Sequence, residues 1–204
     1  MTLNKLASAA GKLHTFFKVL QKITGICMIA VLCVMTVITA VHIINPDAVI
    51  GENTNTVDLG PITVTLAEEN AFTNREMLTT AWIAVVFGLA CAAVVYAAFG
   101  IVRKILLPMT EGQPFHPETA RYFKKLAVLS LVFGIVQNIA AAAEIAGTIR
   151  MLKQHAVAAD HIITSISANY TVDLTFLVVF FILLLMSYLF AYGSTLQQLS
   201  DETL

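Results

Sequence analysis

Four long apolar runs separated by polar segments dominate this chain. An α-helix rises about 1.5 Å per residue, so about 20 residues cross a hydrocarbon core of about 30 Å. Within lipid the backbone amides must be bonded inside the chain, which favours helices for such runs. The pattern therefore predicts an all-α membrane protein, a single domain in which four transmembrane helices form a bundle, with spans at 23–44, 78–102, 126–149 and 174–192.

The lysines and arginines predict the orientation of these spans. They cluster before the first span and in the segment 103–125, whereas the segments 45–77 and 150–173 contain few of them. By the positive-inside bias, we expect both termini and the inner loop 103–125 to be cytoplasmic, and 45–77 and 150–173 to be outer loops. The basic, partly amphipathic residues before the first span either lie along the inner membrane surface or begin the first helix.

The first outer loop contains a local strand pattern. Polar and apolar residues alternate over 57–59 and 62–66, on either side of Gly60 and Pro61. Alternation around a Gly-Pro pair is typical of a hairpin, so we predict a small extracytoplasmic β-hairpin between the first two helices.

Composition narrows the possible functions. With 58% hydrophobic residues, 12% charged residues and a formal net charge of −1, the chain lacks the basic face that nucleic-acid binding requires. The spans leave no room for a soluble catalytic domain, and no helix face combines a nucleophile with a base, so we do not expect an enzyme. The five histidines do not fall at matching depths of facing helices, so neither haem nor a metal cofactor is expected.

Polar residues within the third span suggest a binding face. Glu144 is the only carboxylate inside an apolar run, and Gln137 lies on the same helix face. An ionisable group is costly to place in a membrane span, so its presence there suggests a function. We therefore expect Glu144, Gln137 and the adjacent Asn138 to be candidate ligand-binding residues, on a face that points into the bundle. The alternative is a structural glutamate paired near the end of its helix, for example with Arg150.

Two further segments carry specific patterns. In Glu111-Gly112-Gln113-Pro114-Phe115-His116-Pro117-Glu118, His116 is the predicted N-cap and Pro117 the first residue of the third helix. The chain ends in Gly193-Ser194-Thr195-Leu196-Gln197-Gln198-Leu199-Ser200-Asp201-Glu202-Thr203-Leu204.

The Gly-x-Pro-Phe element, the YG-x-x-LQ segment and the terminal Asp-Glu-Thr-Leu together resemble the bacterial four-helix membrane proteins called domain of unknown function 2975. The resemblance implies a bacterial inner-membrane protein of no established activity, often encoded beside a small helix-turn-helix regulator, and it assigns no catalytic residue. His116 stands where that family pattern leads us to expect Ser or Thr, and Leu199 stands where it leads us to expect an acid.

Charged residues on the predicted cytoplasmic side form a second candidate site. The acidic tail residues and the basic residues of the inner loop are complementary, and we expect them to contribute to partner binding or to pair with each other: Asp201, Glu202, Arg103, Arg121, Lys124 and Lys125.

The leading hypothesis is a non-enzymatic module, in contact with the lipid bilayer, that binds another membrane or cytoplasmic protein or senses a ligand. The alternative is a small transporter or export subunit that uses the polar face of the third span. A homo-oligomer is compatible with both, because four helices alone enclose little pathway.

Overall fold

The fold is described by a computed structural model for residues 3–45, 56–58, 63–65, 74–113, 115–158 and 171–202. These residues contain four helices, namely α1 (Leu3–Ile44), α2 (Asn74–Thr110), α3 (Pro117–Ala158) and α4 (Thr175–Glu202). All four are long and apolar enough to cross a membrane. This agrees with the predicted multi-pass, helical membrane protein.

The helices continue beyond the apolar runs. α1 is continuous over 42 residues, so the basic residues before the first span begin that helix and do not form a separate surface segment. The predicted inner loop 103–125 was too long, since α2 continues to Thr110 and α3 begins at Pro117. α3 likewise continues to Ala158, into the predicted outer loop. An apolar run marks the part of a helix that contacts lipid, whereas backbone hydrogen bonding continues until a cap stops it.

Two short strands lie between α1 and α2. β1 (Thr56–Asp58) and β2 (Thr63–Thr65) pair antiparallel, with Val57 opposite Val64. The predicted Gly60-Pro61 turn lies outside the described residues.

Large apolar side chains cover much of the described surface. Ile26 is 66% exposed and Phe181 is 62% exposed, and both lie within candidate membrane spans. A water-soluble monomer rarely exposes so much contiguous apolar surface. Lipid tails are a suitable environment for these side chains.

The chain divides into two compact units, and the first contains Met1–Met28, Leu89–Asn138 and Val172–Leu204. Within it, the rings of Phe17 on α1 and Phe99 on α2 lie 5.8 Å apart, centroid to centroid. On α3, Gly134 is buried against the ring of Phe176 on α4, which occupies the space that a Cβ atom would need. The missing side chain therefore lets α3 and α4 approach closely.

The second unit contains Ile29–Gly88 and Ile139–Thr171. In this unit the indole Nε1–H of Trp82 on α2 donates a hydrogen bond to Thr39 Oγ1 on α1, at 3.0 Å. The Thr39 hydroxyl donates in turn to the carbonyl of Met35, at 2.7 Å. Both polar groups of this contact are therefore satisfied within an apolar region.

Candidate functional site at the α2–α3 connection

The end of α2 is fixed by a complete glycine cap. Gly112 has a φ of +79°, in the left-handed region that glycine adopts without strain. Its N–H bonds to the carbonyl of Met109 at 3.4 Å, and the N–H of Gln113 bonds to the carbonyl of Pro108 at 3.0 Å. This is the hydrogen-bond pattern of a Schellman motif, and it reverses the chain directly after α2.

The start of α3 is capped as predicted. His116 Nδ1 accepts a hydrogen bond from the backbone N–H of Glu118 at 3.3 Å, and the His116 carbonyl accepts from Thr119 N–H at 2.9 Å. Pro117 is the first helical residue. His116 thus takes the role that Ser or Thr usually has at this position.

Phe115 joins this connection to α4. Its ring lies 5.7 Å from the ring of Phe190, which stacks at 4.9 Å on Phe123 of α3. Phe115 also lies over Gly193, where a Cβ atom would be only 2.5 Å from the ring. The two sequence motifs, which are about 80 residues apart in the chain, therefore meet through Phe115 and Gly193. We call this region, residues 113 and 115–117 with 190–198, the loop–α4 junction.

A cavity of about 210 Å³ opens at the loop–α4 junction. Beside Phe115 and Pro117, amide, hydroxyl and imidazole groups line it, contributed by Gln113, His116, Ser194, Gln197 and Gln198. No carboxylate, amine or guanidinium is among its described lining residues. Such groups can donate hydrogen bonds to, and accept them from, an uncharged polar ligand.

None of these lining residues was predicted from the sequence to belong to a binding site, although three of them share a recognisable spacing. Ser194, Gln197 and Gln198 have the spacing i, i+3, i+4 and therefore share one face of a helix. That spacing could have indicated a shared polar helix face. It was not used because the segment was expected to be a tail after the last span. In the structure α4 continues to Glu202.

At the other end of α4, Asn138 binds the backbone of the chain before the helix. Its side-chain Nδ2 donates to the carbonyl of Asp173 and its Oδ1 accepts from the Asp173 N–H, both at 3.0 Å. Asp173 Oδ1 accepts from the N–H of Thr175 at 2.8 Å. Hydrogen bonds from the side chain and backbone of Thr175 hold the pKa of Asp173 below its usual value. Asn138 thus positions the start of α4, and its predicted ligand-binding role stays a prediction.

The other two residues of the predicted ligand-binding face are exposed. Both Gln137 and Glu144 lie on α3 with exposed side chains, which differs from the prediction that this face points into the bundle. Gly134, three residues before Gln137 and therefore on the same side of α3, is buried because the ring of Phe176 covers it. Neither Gln137 nor Glu144 lines the cavity at the loop–α4 junction.

The predicted charged site is distributed over several elements. Arg103 is half-buried on α2, and its Nη1 donates to Gln21 Oε1 at 2.8 Å. The side chains of Arg121, Lys124, Lys125 and Glu202 are exposed, while that of Asp201 lies outside what the structure describes. The proposed pairing of the tail with these basic residues stays a prediction.

Comparison with known proteins finds one family model that covers both sequence motifs. A family model described as "Protein of unknown function (DUF2975)" matches residues 65–204. That match includes the whole loop–α4 junction and more than half of the chain. No curated protein and no solved structure matches the chain.

Proposed function

Since the chain belongs to the DUF2975 family of proteins of unknown function, we propose that it is a non-enzymatic membrane module that binds a partner protein at the loop–α4 junction. One observation carries the proposal. Two distant motifs within the matched region are held together around a polar cavity by the contact of Phe115 with Gly193 and Phe190.

The chemistry of the cavity favours a peptide segment as the bound group. Glutamine amides and a serine hydroxyl can pair with the N–H and C=O groups of another backbone. The capped ends of α2 and α3 keep the loop residues in place before the partner arrives, which reduces the ordering cost of binding. We infer that the partner inserts a short, uncharged polar segment here.

The proposal includes an orientation. The distribution of lysine and arginine supports a cytoplasmic position for both termini and for the loop–α4 junction, with β1 and β2 on the opposite side. The family resemblance supports the inner membrane of a bacterium. A cysteine introduced at Glu111 should react with an impermeant reagent in inverted vesicles and stay unlabelled in intact cells; the opposite labelling would reverse the orientation.

Site-directed photocrosslinking in native membranes tests the binding site. A photoreactive residue at Gln197, which lines the cavity, should give a discrete protein adduct. The same residue at Leu189, an exposed position of α4 outside the cavity lining, is the matched control. Adduct formation at position 197 should fall when Gln113, which lines the same cavity from the α2–α3 connection, is changed to alanine.

Equal adducts at positions 189 and 197, or adducts with lipid alone, would contradict partner binding at the cavity. Removal of residues 200–204 distinguishes binding at the cavity from binding at the acidic tail. It deletes the tail and leaves every described lining residue in place, since the last of these is Gln198. An adduct that persists after this truncation assigns the partner to the cavity. Solute uptake into proteoliposomes that is abolished by Glu144→Gln would instead favour the transporter alternative.

A further inference from the structure

A second polar cavity, of about 410 Å³, lies between α1 and α2 in the first unit. Ligand pockets in proteins commonly enclose about 300–1,000 Å³, so this space can hold a small polar group. His14, Gln21, Arg103 and Lys104 supply its polar wall, and the other described lining residues are apolar or glycine.

Arg103 is held in place by α1. Gln21 Oε1 accepts a hydrogen bond from Arg103 Nη1 at 2.8 Å, and Gln21 Nε2 donates to the carbonyl of Tyr96 at 3.4 Å. A Cβ atom at Gly100 would lie only 3.2 Å from Gln21 Nε2, so glycine leaves room for this side chain. The guanidinium is therefore oriented by the neutral amide of Gln21.

The described lining residues bring positive charge to the cavity and no negative charge. The Nε atom of Arg103 is buried and has no hydrogen-bond partner among the described residues. No carboxylate is among the described residues that line the cavity. Lys104, whose Nζ also lies 5.9 Å from the centre of the Tyr122 ring, is a second cationic residue of the lining. An unpaired donor on a half-buried guanidinium is costly, and an anionic acceptor would remove that cost.

The position of the cavity residues along their helices indicates which class of anion the cavity binds. Gln21 precedes the apolar run 23–44, and Arg103 follows the run 78–102, so both lie at a boundary between apolar and polar sequence. Phospholipid phosphates lie at the corresponding boundary of a bilayer, and basic pockets between transmembrane helices bind anionic headgroups. We propose that this cavity binds the phosphate of an anionic phospholipid.

Competition between lipids on the purified full-length protein tests the proposal. In mild detergent with equal amounts of phosphatidylglycerol and phosphatidylcholine, native mass spectrometry should show preferential retention of phosphatidylglycerol. Arg103→Gln should weaken that retention about tenfold, because a charge-assisted hydrogen bond is lost. Lys104→Gln leaves the Gln21–Arg103 bond intact and should weaken the retention of phosphatidylglycerol about fivefold. This second variant tests the proposal even if Arg103→Gln fails to fold.

Lys124→Gln is the matched control, since it removes the same charge from an exposed position of α3 that does not line the cavity. Its lipid retention should equal that of the unchanged protein. Equal retention of both lipids, or an equal loss in Lys124→Gln and Lys104→Gln, would overturn the proposal. Displacement of phosphatidylglycerol by an equal concentration of inorganic phosphate would overturn the proposal of a lipid ligand and would indicate that the cavity binds free phosphate.

Discussion

The two ends of α4 are held against α3 by different chemistry. Near its carboxyl end, the rings of Phe190 and Phe123 stack and Phe115 covers Gly193. Near its amino end, the amide of Asn138 makes two hydrogen bonds to the backbone of Asp173, which we call the Asn138 clamp. Each end also has a contact of the other kind, because the Ser187 hydroxyl donates to the Ala120 carbonyl near the carboxyl end and Phe176 packs on Gly134 near the amino end. What differs is the contact with the adjoining chain, which is an exposed aromatic ring at the carboxyl end and a pair of directional hydrogen bonds at the amino end.

This difference determines how each end responds to change. An aromatic contact with a ring that is 42% exposed, as Phe115 is, can adjust by moving the ring outward. The Asn138 clamp cannot adjust in that way, because the hydrogen bonds weaken steeply with distance and angle. The loop–α4 junction is thus the adaptable end in its Phe115 ring, although its backbone is held by the caps of α2 and α3, and the Asn138 clamp is the rigid end.

The largest effect is expected at Gly134, close to the Asn138 clamp. Gly134→Leu should destabilise the protein by about 3 kcal/mol, because the new side chain occupies the space of the Phe176 ring. Thermal unfolding in detergent measures the change. Gly147→Leu, on the same helix but with no atom within 4 Å of its Cβ position, is the control and should cost little. Similar losses in both variants would refute the close contact of α3 with α4.

Breaking the Asn138 clamp should have the next largest effect. Asn138→Leu removes two hydrogen bonds to Asp173 and a local one from Nδ2 to the Gly134 carbonyl. The two bonds to Asp173, at about 1 kcal/mol each, account for an expected loss of about 2 kcal/mol, since the local bond lies within α3 and does not hold α4. Hydrogen exchange at the first turn of α4 should rise together with the loss of thermal stability. Gln137→Leu is the adjacent control, because Gln137 is exposed. Unchanged exchange in Asn138→Leu would show that the clamp does not fix this end.

A smaller effect is expected at the adaptable end. Gly193→Ala places a methyl group against Phe115 and should cost about 1 kcal/mol, since the exposed ring can move aside. The same substitution should reduce crosslinking from Gln197, because displacement of Phe115 alters the cavity. Gly88→Ala, with no atom within 4 Å of its Cβ position, is the control for both measurements. Unchanged crosslinking in Gly193→Ala would show that partner binding at the cavity does not depend on the contact between Phe115 and Gly193.

The smallest effect concerns pH at the Asn138 clamp. Because the Thr175 hydrogen bonds lower the pKa of Asp173 in the folded state, the carboxylate contributes stability above its unfolded pKa of about 3.9. That contribution is lost as pH falls through the lower, folded pKa. The difference in melting temperature between the unchanged protein and Asp173→Asn should therefore be constant above about pH 5 and shrink as the pH falls below about 4. A difference that is constant with pH would contradict a role for the charge.

Local patterns in the sequence were sufficient to predict the four helices and the cap at the start of α3. The apolar runs predicted α1 to α4 because lipid requires helices of that length, and His116-Pro117 predicted the start of α3 because capping depends on adjacent residues. The helical residues 103–110 and 193–202 were not predicted, because helix ends outside lipid depend on caps rather than hydropathy. The contacts of Gly134 with Phe176 and of Asn138 with Asp173 join distant residues, and neither spacing nor composition encodes that pairing.

The bond between Trp82 and Thr39 gives the protein an internal optical probe. Trp82 is the only tryptophan of the chain, so the intrinsic indole emission arises from this single site on α2. Its Nε1–H is bonded to a hydroxyl of α1, and therefore the emission wavelength depends on whether those two helices stay together there. Ligand-induced or partner-induced separation of α1 from α2 can be followed in unlabelled protein by fluorescence alone, with Thr39→Val as the reference spectrum for the broken bond.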